Sequence, residues 1–229
     1  MRMLRNINVH PLSLGFVQAY LIETPDGLFL VDCGMPGQQK NILPVMQRLG
    51  RQDLKLIFIT HAHADHTGSA AALKKLTGAQ VAIHRLDAEA LRTAKMPARG
   101  RGWLLRQVMA LMTRVIRLQP LQPDILLEDG DSLEPYGLPG KVVHTPGHSP
   151  GSSCLVLEDG RAFVGDLMST TGNPHLQHDI VDDWGQLHAS YQRLRGLSLE
   201  QVYVGHGQRS LSGNELVALI DAELDTIKG

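Results

Sequence analysis

The stretch Leu54-Lys55-Leu56-Ile57-Phe58-Ile59-Thr60-His61-Ala62-His63-Ala64-Asp65-His66 decides how this chain is read. Its first half is an apolar run rich in β-branched and aromatic side chains, as a buried strand would be. Its second half places three imidazoles and a carboxylate within six positions, and residues 70–76 read as the body of a following helix. The polar groups therefore fall on a strand-to-helix loop, where side chains converge free of the spacing of regular structure. Imidazoles with a carboxylate suit a borderline divalent ion, zinc first, with iron or manganese as alternatives. A histidine-rich surface turn is the plainer reading. With 11 histidines in 229 residues, however, three seldom cluster so tightly.

Working outward, the length suits one substantial core or at most two small ones, and an aromatic fraction of 4% makes the core mainly aliphatic. A formal net charge of −1 argues against a general nucleic-acid binder. No segment has the length of a membrane span, and the N-terminal stretch shows no signal-peptide cleavage region. A cytoplasmic protein without stable membrane insertion is expected, with a homodimer left open. Cys33 and Cys154 are too few for a disulfide framework and read as buried free thiols.

The elements alternate along the chain. Strands are expected at 16–23 and 28–32, joined through the turn Pro25-Asp26-Gly27, then a helix at 38–49. Beyond the histidine loop, strands are expected at 79–83, 141–145, 153–157, 162–164 and 201–204, with helices at 184–194 and 214–227. Hairpins in some places and helical crossovers in others imply mixed sheets flanked by helices. Residues 86–125 break the rhythm. There a basic stretch leads into an apolar helix candidate at 103–118, with Arg99, Arg106, Arg114 and Arg117 on one side. It reads as a helical insertion bordering the site, or equally as an ordinary core helix with solvated arginines.

Three more polar residues stand where strands end. His148 follows a strand inside His144-Thr145-Pro146-Gly147-His148, a turn that can aim it inward. Asp166 closes the apolar run Phe163-Val164-Gly165, and a carboxylate there is costly to bury unless something positive faces it. His206 sits between Gly205 and Gly207, which permit close backbone approach.

His61-x-His63-x-Asp65-His66, then His148, Asp166 and His206 in that order, resembles the metallo-β-lactamase superfamily, its small stand-alone glyoxalase II- or lactonase-like hydrolases in particular. The likeness runs from about Gly15 to His206. It implies an α+β fold, a four-layer αββα sandwich of two mixed β-sheets flanked by helices, as one domain over 1–229. It also implies two divalent metal ions. His61, His63 and His148 would hold one, Asp65, His66 and His206 the other, and Asp166 would bridge them. Asp32, in Val31-Asp32-Cys33-Gly34, matches a motif that buttresses the ligand loop. That role is physically sound, since a ligating imidazole donates its other N–H to a carboxylate or carbonyl.

Two such metals can share a water and lower its pKa from about 15.7 toward neutrality, so the resulting hydroxide is the nucleophile. Asp65 is expected to be catalytic, orienting that hydroxide and passing its proton to the leaving group. The expected substrate is a small molecule with an ester, lactone, thioester or amide bond. The aliphatic face of 103–118 favours lactones or thioesters. In the loop 172–183, His175 and His178 are candidate substrate contacts. The alternatives are a mononuclear iron dioxygenase resembling the persulfide dioxygenases, and a phosphodiester hydrolase. A catalytically dead binding module would show eroded ligands, and none is eroded.

Overall fold

The computed structural model describes residues 7–95 and 116–227. Two mixed sheets dominate it. The first has six strands in the order of the chain: β1 (Asn8–Leu14), β2 (Val17–Thr24), β3 (Gly27–Val31), β4 (Leu54–Ile59), β5 (Gln80–His84) and β6 (Ile125–Leu127). Its first three strands run antiparallel, and β3 to β6 run parallel. The second sheet contains β7 (Gly140–His144), β8 (Ser153–Leu157), β9 (Arg161–Phe163), β12 (Gln201–Tyr203) and β13 (Leu211–Ser212), in the order β13-β12-β9-β8-β7. A small ribbon of β10 (Met168–Ser169) and β11 (His175–Leu176) lies between β9 and β12 in sequence.

The layering follows from the two faces of each strand. Leu28, Leu30, Ile57 and Ile59 point to one side, where they meet Ile42 and Met46 of α1 (Gln39–Arg48), Ala70 and Leu73 of α3 (Ala70–Thr77), and Ala88 and Leu91 of α4 (Ala88–Thr93). Phe29, Val31, Leu56 and Phe58 point to the other side, against Val142, Leu155, Leu157 and Phe163 of the second sheet. The outer face of that sheet, with Val143, Cys154 and Val202, is covered by Leu187, Tyr191 and Leu194 of α5 (Trp184–Arg195) and Leu216 and Ile220 of α6 (Gly213–Ile227). Helix, sheet, sheet, helix is the αββα sandwich the resemblance implied. Strands buried on both faces read as continuous apolar runs, which is why β3 and β4 stood out in the sequence.

Several expectations shift. The hexapeptide is not wholly a loop, because Ala64–Thr67 forms a single helical turn, α2, that carries Asp65 and His66. The His66 and Thr67 N–H groups both donate to the His63 carbonyl. An additional strand, β1, precedes the expected hairpin. It contains Pro11 and lies at the sheet edge, where a missing N–H is tolerated. The two-residue strands β10 and β11 and the three-residue β6 are too short to leave a period in the sequence. Of the insertion expected at 86–125, α4 and β6 are described, while residues 96–115, and with them most of the helix expected at 103–118, lie outside the described residues. Among the described residues, no helix is long and apolar enough to cross a membrane.

Candidate metal centre

The centre forms because the strands that feed it end at one edge of the sandwich. β3 and β4 are parallel and deliver Asp32 and His61 from their carboxyl ends. β9 and β12 are parallel and deliver Asp166 and His206, while β7, antiparallel to β8 as β8 is to β9, delivers the turn that holds His148. Hydrogen bonds tie the two sheets at this edge: Ser153 N–H donates to the Thr60 carbonyl at 2.9 Å and Gln18 N–H to the Gly205 carbonyl at 2.8 Å. The Tyr20 hydroxyl adds a buried bond to the Val204 carbonyl at 2.7 Å.

Seven side chains gather there in two groups, His61, His63, His148 and Asp166 in one, Asp65, His66 and His206 in the other. In the first, His61 Nε2, His63 Nδ1 and His148 Nε2 form a triangle with sides of 3.0, 3.0 and 3.2 Å. Three nitrogens about 2.0–2.1 Å from one tetrahedral ion stand roughly 3.3 Å apart, so the triangle has nearly the dimensions of a coordination face. Asp166 Oδ2 lies 3.7 Å from His61 Nε2 and 3.6 Å from His148 Nε2. The same oxygen is 3.1 Å from His206 Nε2, and Asp166 Oδ1 is 3.2 Å from His66 Nε2. Asp65 Oδ2 completes the second group, 3.4 Å from His206 Nε2 and 3.7 Å from His66 Nε2.

The far sides of the rings are held by partners that aim them. Asp32 accepts from the Thr60 N–H at 2.9 Å and the Thr60 hydroxyl at 2.8 Å. That hydroxyl faces His61 Nδ1 at 3.0 Å, and Asp32 Oδ2 faces His66 Nδ1 at 2.8 Å. One carboxylate thus orients a ring in each group. To do so its backbone takes φ +57°, a left-handed conformation that aspartate tolerates better than most residues. His148 Nδ1 donates to the Ile180 carbonyl at 2.7 Å and His206 Nδ1 to the Phe16 carbonyl at 3.0 Å. In both, Nε2 is left facing the centre.

The electrostatics of the two groups differ. Burial, and then the neighbouring imidazoles, push His61 well below its ordinary range, and burial with the nearby His63 pushes His148 down to about 3. Burial lowers His63 as well, so all three imidazoles of this group are shifted toward the neutral, lone-pair-bearing form. In the other group burial opposes charge, but Asp166, Asp32 and Asp65 outweigh it and hold His66 well above its usual range. His206 rises to about 10 against the same opposition from burial, chiefly through Asp166. Asp166 is itself held well below the carboxylate range, because the imidazoles of His66 and His206 overcome the cost of burying it. Two buried atoms, His66 Nε2 and Asp166 Oδ1, have no hydrogen-bond partner although each faces the centre. Native structures seldom leave such atoms without a reason.

His175 is exposed, its Nδ1 donating to the Asn173 carbonyl, and His178 stacks on Trp184 with Nε2 3.5 Å from Glu223 of α6. Phe16, 61% exposed at the β1–β2 turn, instead stacks parallel to His206 with centroids 5.8 Å apart. Neither Phe16 nor the buried Asp87, which bonds to both histidine loops, stood out in the sequence. A turn aspartate and a turn phenylalanine carry no pattern until their neighbours are known.

Comparisons with known proteins bear on the fold and the family. The family model described as metallo-beta-lactamase superfamily matches residues 12–206. A lactamase-like protein of Emericella nidulans is 29% identical over 205 residues, 87% of this chain and 54% of that protein. A hydroxyacylglutathione hydrolase of Aeromonas hydrophila is 30% identical over 191 residues, 82% of this chain and 59% of that enzyme. Among solved structures, TTHA1623 in a di-iron-bound form superimposes with a TM-score of 0.68 at 29% identity, covering 90% of this chain and 96% of that one. The chain thus spans little more than half the length of these two curated relatives.

Proposed function

The chain belongs to the metallo-β-lactamase superfamily, and on that premise we propose that it is a metal-dependent hydrolase of an acyl bond in a small molecule. Asp166 carries this reading. A single buried carboxylate faces His61, His148 and His206 with one oxygen and His66 with the other, as a group shared between two cations would. Cations would also satisfy the orphaned His66 Nε2 and Asp166 Oδ1. His61, His63 and His148 would hold one ion, Asp65, His66 and His206 the second, with Asp166 between them. Zinc suits these nitrogen and oxygen donors, and a relative in a di-iron-bound form makes iron the alternative.

When bound, such ions acidify a water and polarise the substrate oxygen. The chain's own groups supply the rest. Asp32 and the Ile180 and Phe16 carbonyls fix which nitrogen each ring presents. Asp65 is more open to solvent than Asp166, with side-chain exposures of 20% and 5%. The imidazoles of His66 and His206 offset its burial and hold it below the ordinary carboxylate range, and we assign to it the transfer of a proton from the nucleophilic water to the leaving group. An ester, lactone, thioester or amide fits this chemistry, and similarity to a hydroxyacylglutathione hydrolase supports an acyl substrate.

Metal quantification coupled to a panel of lactone, thioester, β-lactam and phosphodiester substrates tests the reading. Two metals per chain and anaerobic turnover of an acyl substrate are expected. One iron per chain with oxygen consumption would overturn it in favour of an oxygenase. Asp65→Ala should abolish turnover, and full activity in that variant with both ions retained would remove its catalytic role.

A further inference from the structure

We propose that Asp87 is the positioning residue of the three-imidazole group, clamping the loop that carries His61 and His63 to the loop that carries His148. The proposal rests on reading those imidazoles as metal ligands. Asp87 occupies the residue before α4, where an aspartate ordinarily accepts a hydrogen bond from its own helix. Its side chain makes no such bond. It turns away, 3% exposed, and spends its acceptors on two distant segments. Oδ2 accepts from the Ala62 N–H at 2.9 Å and from the Ser149 hydroxyl at 2.7 Å, and Oδ1 accepts from the Gly151 N–H at 2.7 Å. Ala62 lies between His61 and His63, and Ser149 follows His148.

A buried carboxylate is costly unless donors or cations compensate it. Among the described residues, the side-chain hydrogen bonds that compensate it come from the two ligand loops, so moving either loop would leave the carboxylate short of donors. The neighbourhood is shaped to this contact. A Cβ on Gly151 would stand 2.6 Å from Asp87 Cγ, so only glycine lets the carboxylate reach. The same turn grips the same loop a second time, because the buried His84 ring stacks on His144 with centroids 3.9 Å apart and planes 9° from parallel. His144 in turn faces the Pro150 carbonyl through Nε2 at 2.9 Å. The two loops come from different sheets, so the triangle of nitrogens depends on something that spans the seam. Asp32 does not reach the His148 loop through any hydrogen bond among the described residues. Asp87 does.

The test is a zinc titration of the full-length apo protein against a chromophoric chelator, repeated with cobalt to read the ligand field. Asp87→Asn keeps the volume but turns one acceptor into a donor that faces a donor. One of the two binding events should weaken by about 10–100-fold, the usual cost of losing a group that orients ligands, while the other holds. The cobalt spectrum of the weakened site should shift. Ser149→Ala, which removes one donor and no charge, should weaken the same event by less, and it serves if Asp87→Asn does not fold. Equal affinities in wild type and both variants would overturn the clamp alone. So would a parallel loss of both events that tracks the melting temperature of the apo protein. A wild-type protein that takes up no ion would overturn the metal reading and the clamp with it.

Discussion

Gly205 occupies one of the tightest places in the molecule. A Cβ there would stand 2.2 Å from Asp166 Oδ1 and 2.9 Å from His66 Cε1. Gly205→Ala must therefore push Asp166 off the axis between the two groups, and the fold offers no slack, since the Gly205 N–H and carbonyl are both bonded, to Gly165 and Gln18. We expect this variant to fold but to lose metal affinity by about 10–100-fold, checked by metal content after dialysis. Unchanged content would show that the backbone can retreat. The glycines flanking His206 did announce a close approach in the sequence, though not which side chain approaches. Thr60 and Asp87 announced nothing. Each acts through a hydrogen bond to a residue remote along the chain, 28 positions away for Thr60 and Asp32 and 62 for Asp87 and Ser149, and no spacing encodes that.

At the scale of the element, β4 is the central support, because its two faces belong to two different cores and its end carries the histidine loop. Phe58, 1% exposed, fills the space between the sheets. Phe58→Ala should cost about 3–5 kcal/mol, and Ile57→Val on the helix-facing side about 0.5–1.5 kcal/mol, both read from denaturant unfolding. β5 supports a pH prediction. Burial, and then the adjacent His144, push His84 down to about 4 from an ordinary value of 6.5. As pH falls, the unfolded chain takes up this proton before the folded one does. The stabilisation is therefore complete above 6.5 and is lost as pH falls toward about 4. His84→Phe keeps a stacking ring without the titration and should flatten the acid slope of stability across that window, measured on the apo protein. Parallel slopes would assign the acid sensitivity to other groups. The sequence placed most strands and helices to within a residue or two, because period and turn residues are local. It missed β1, whose Pro11 suits only an edge, and it missed the shortest strands, where pairing with a neighbour supplies what periodicity does not.

For the whole molecule, the centre joins two sheets that are also held by the apolar faces between them and by hydrogen bonds at the same edge. Ions bound there would stabilise the folded state by mass action, since the unfolded chain has no assembled site. Chelation should lower the melting temperature by several degrees without unfolding the protein at ambient temperature, and zinc should restore it, as followed by circular dichroism. Complete metal loss with an unchanged melt would mean that the apolar core between the sheets and the hydrogen bonds across their edge carry the seam without the ions. The sequence by itself determined where most strands and helices fall, the fold class by resemblance and the order of the seven polar residues. These rest on near neighbours and on side-chain chemistry, both of which are written along the chain. Only the tertiary structure decided that Asp166 faces rings of both groups, with Oδ2 shared between them, that Asp32 serves a ring in both, and that Asp87 spans the seam. His61 and His148 are 87 positions apart, and their nitrogens meet at 3.2 Å only because two sheets pack with their strand ends aligned. That alignment is a property of the packed cores, and no short stretch of the chain contains it.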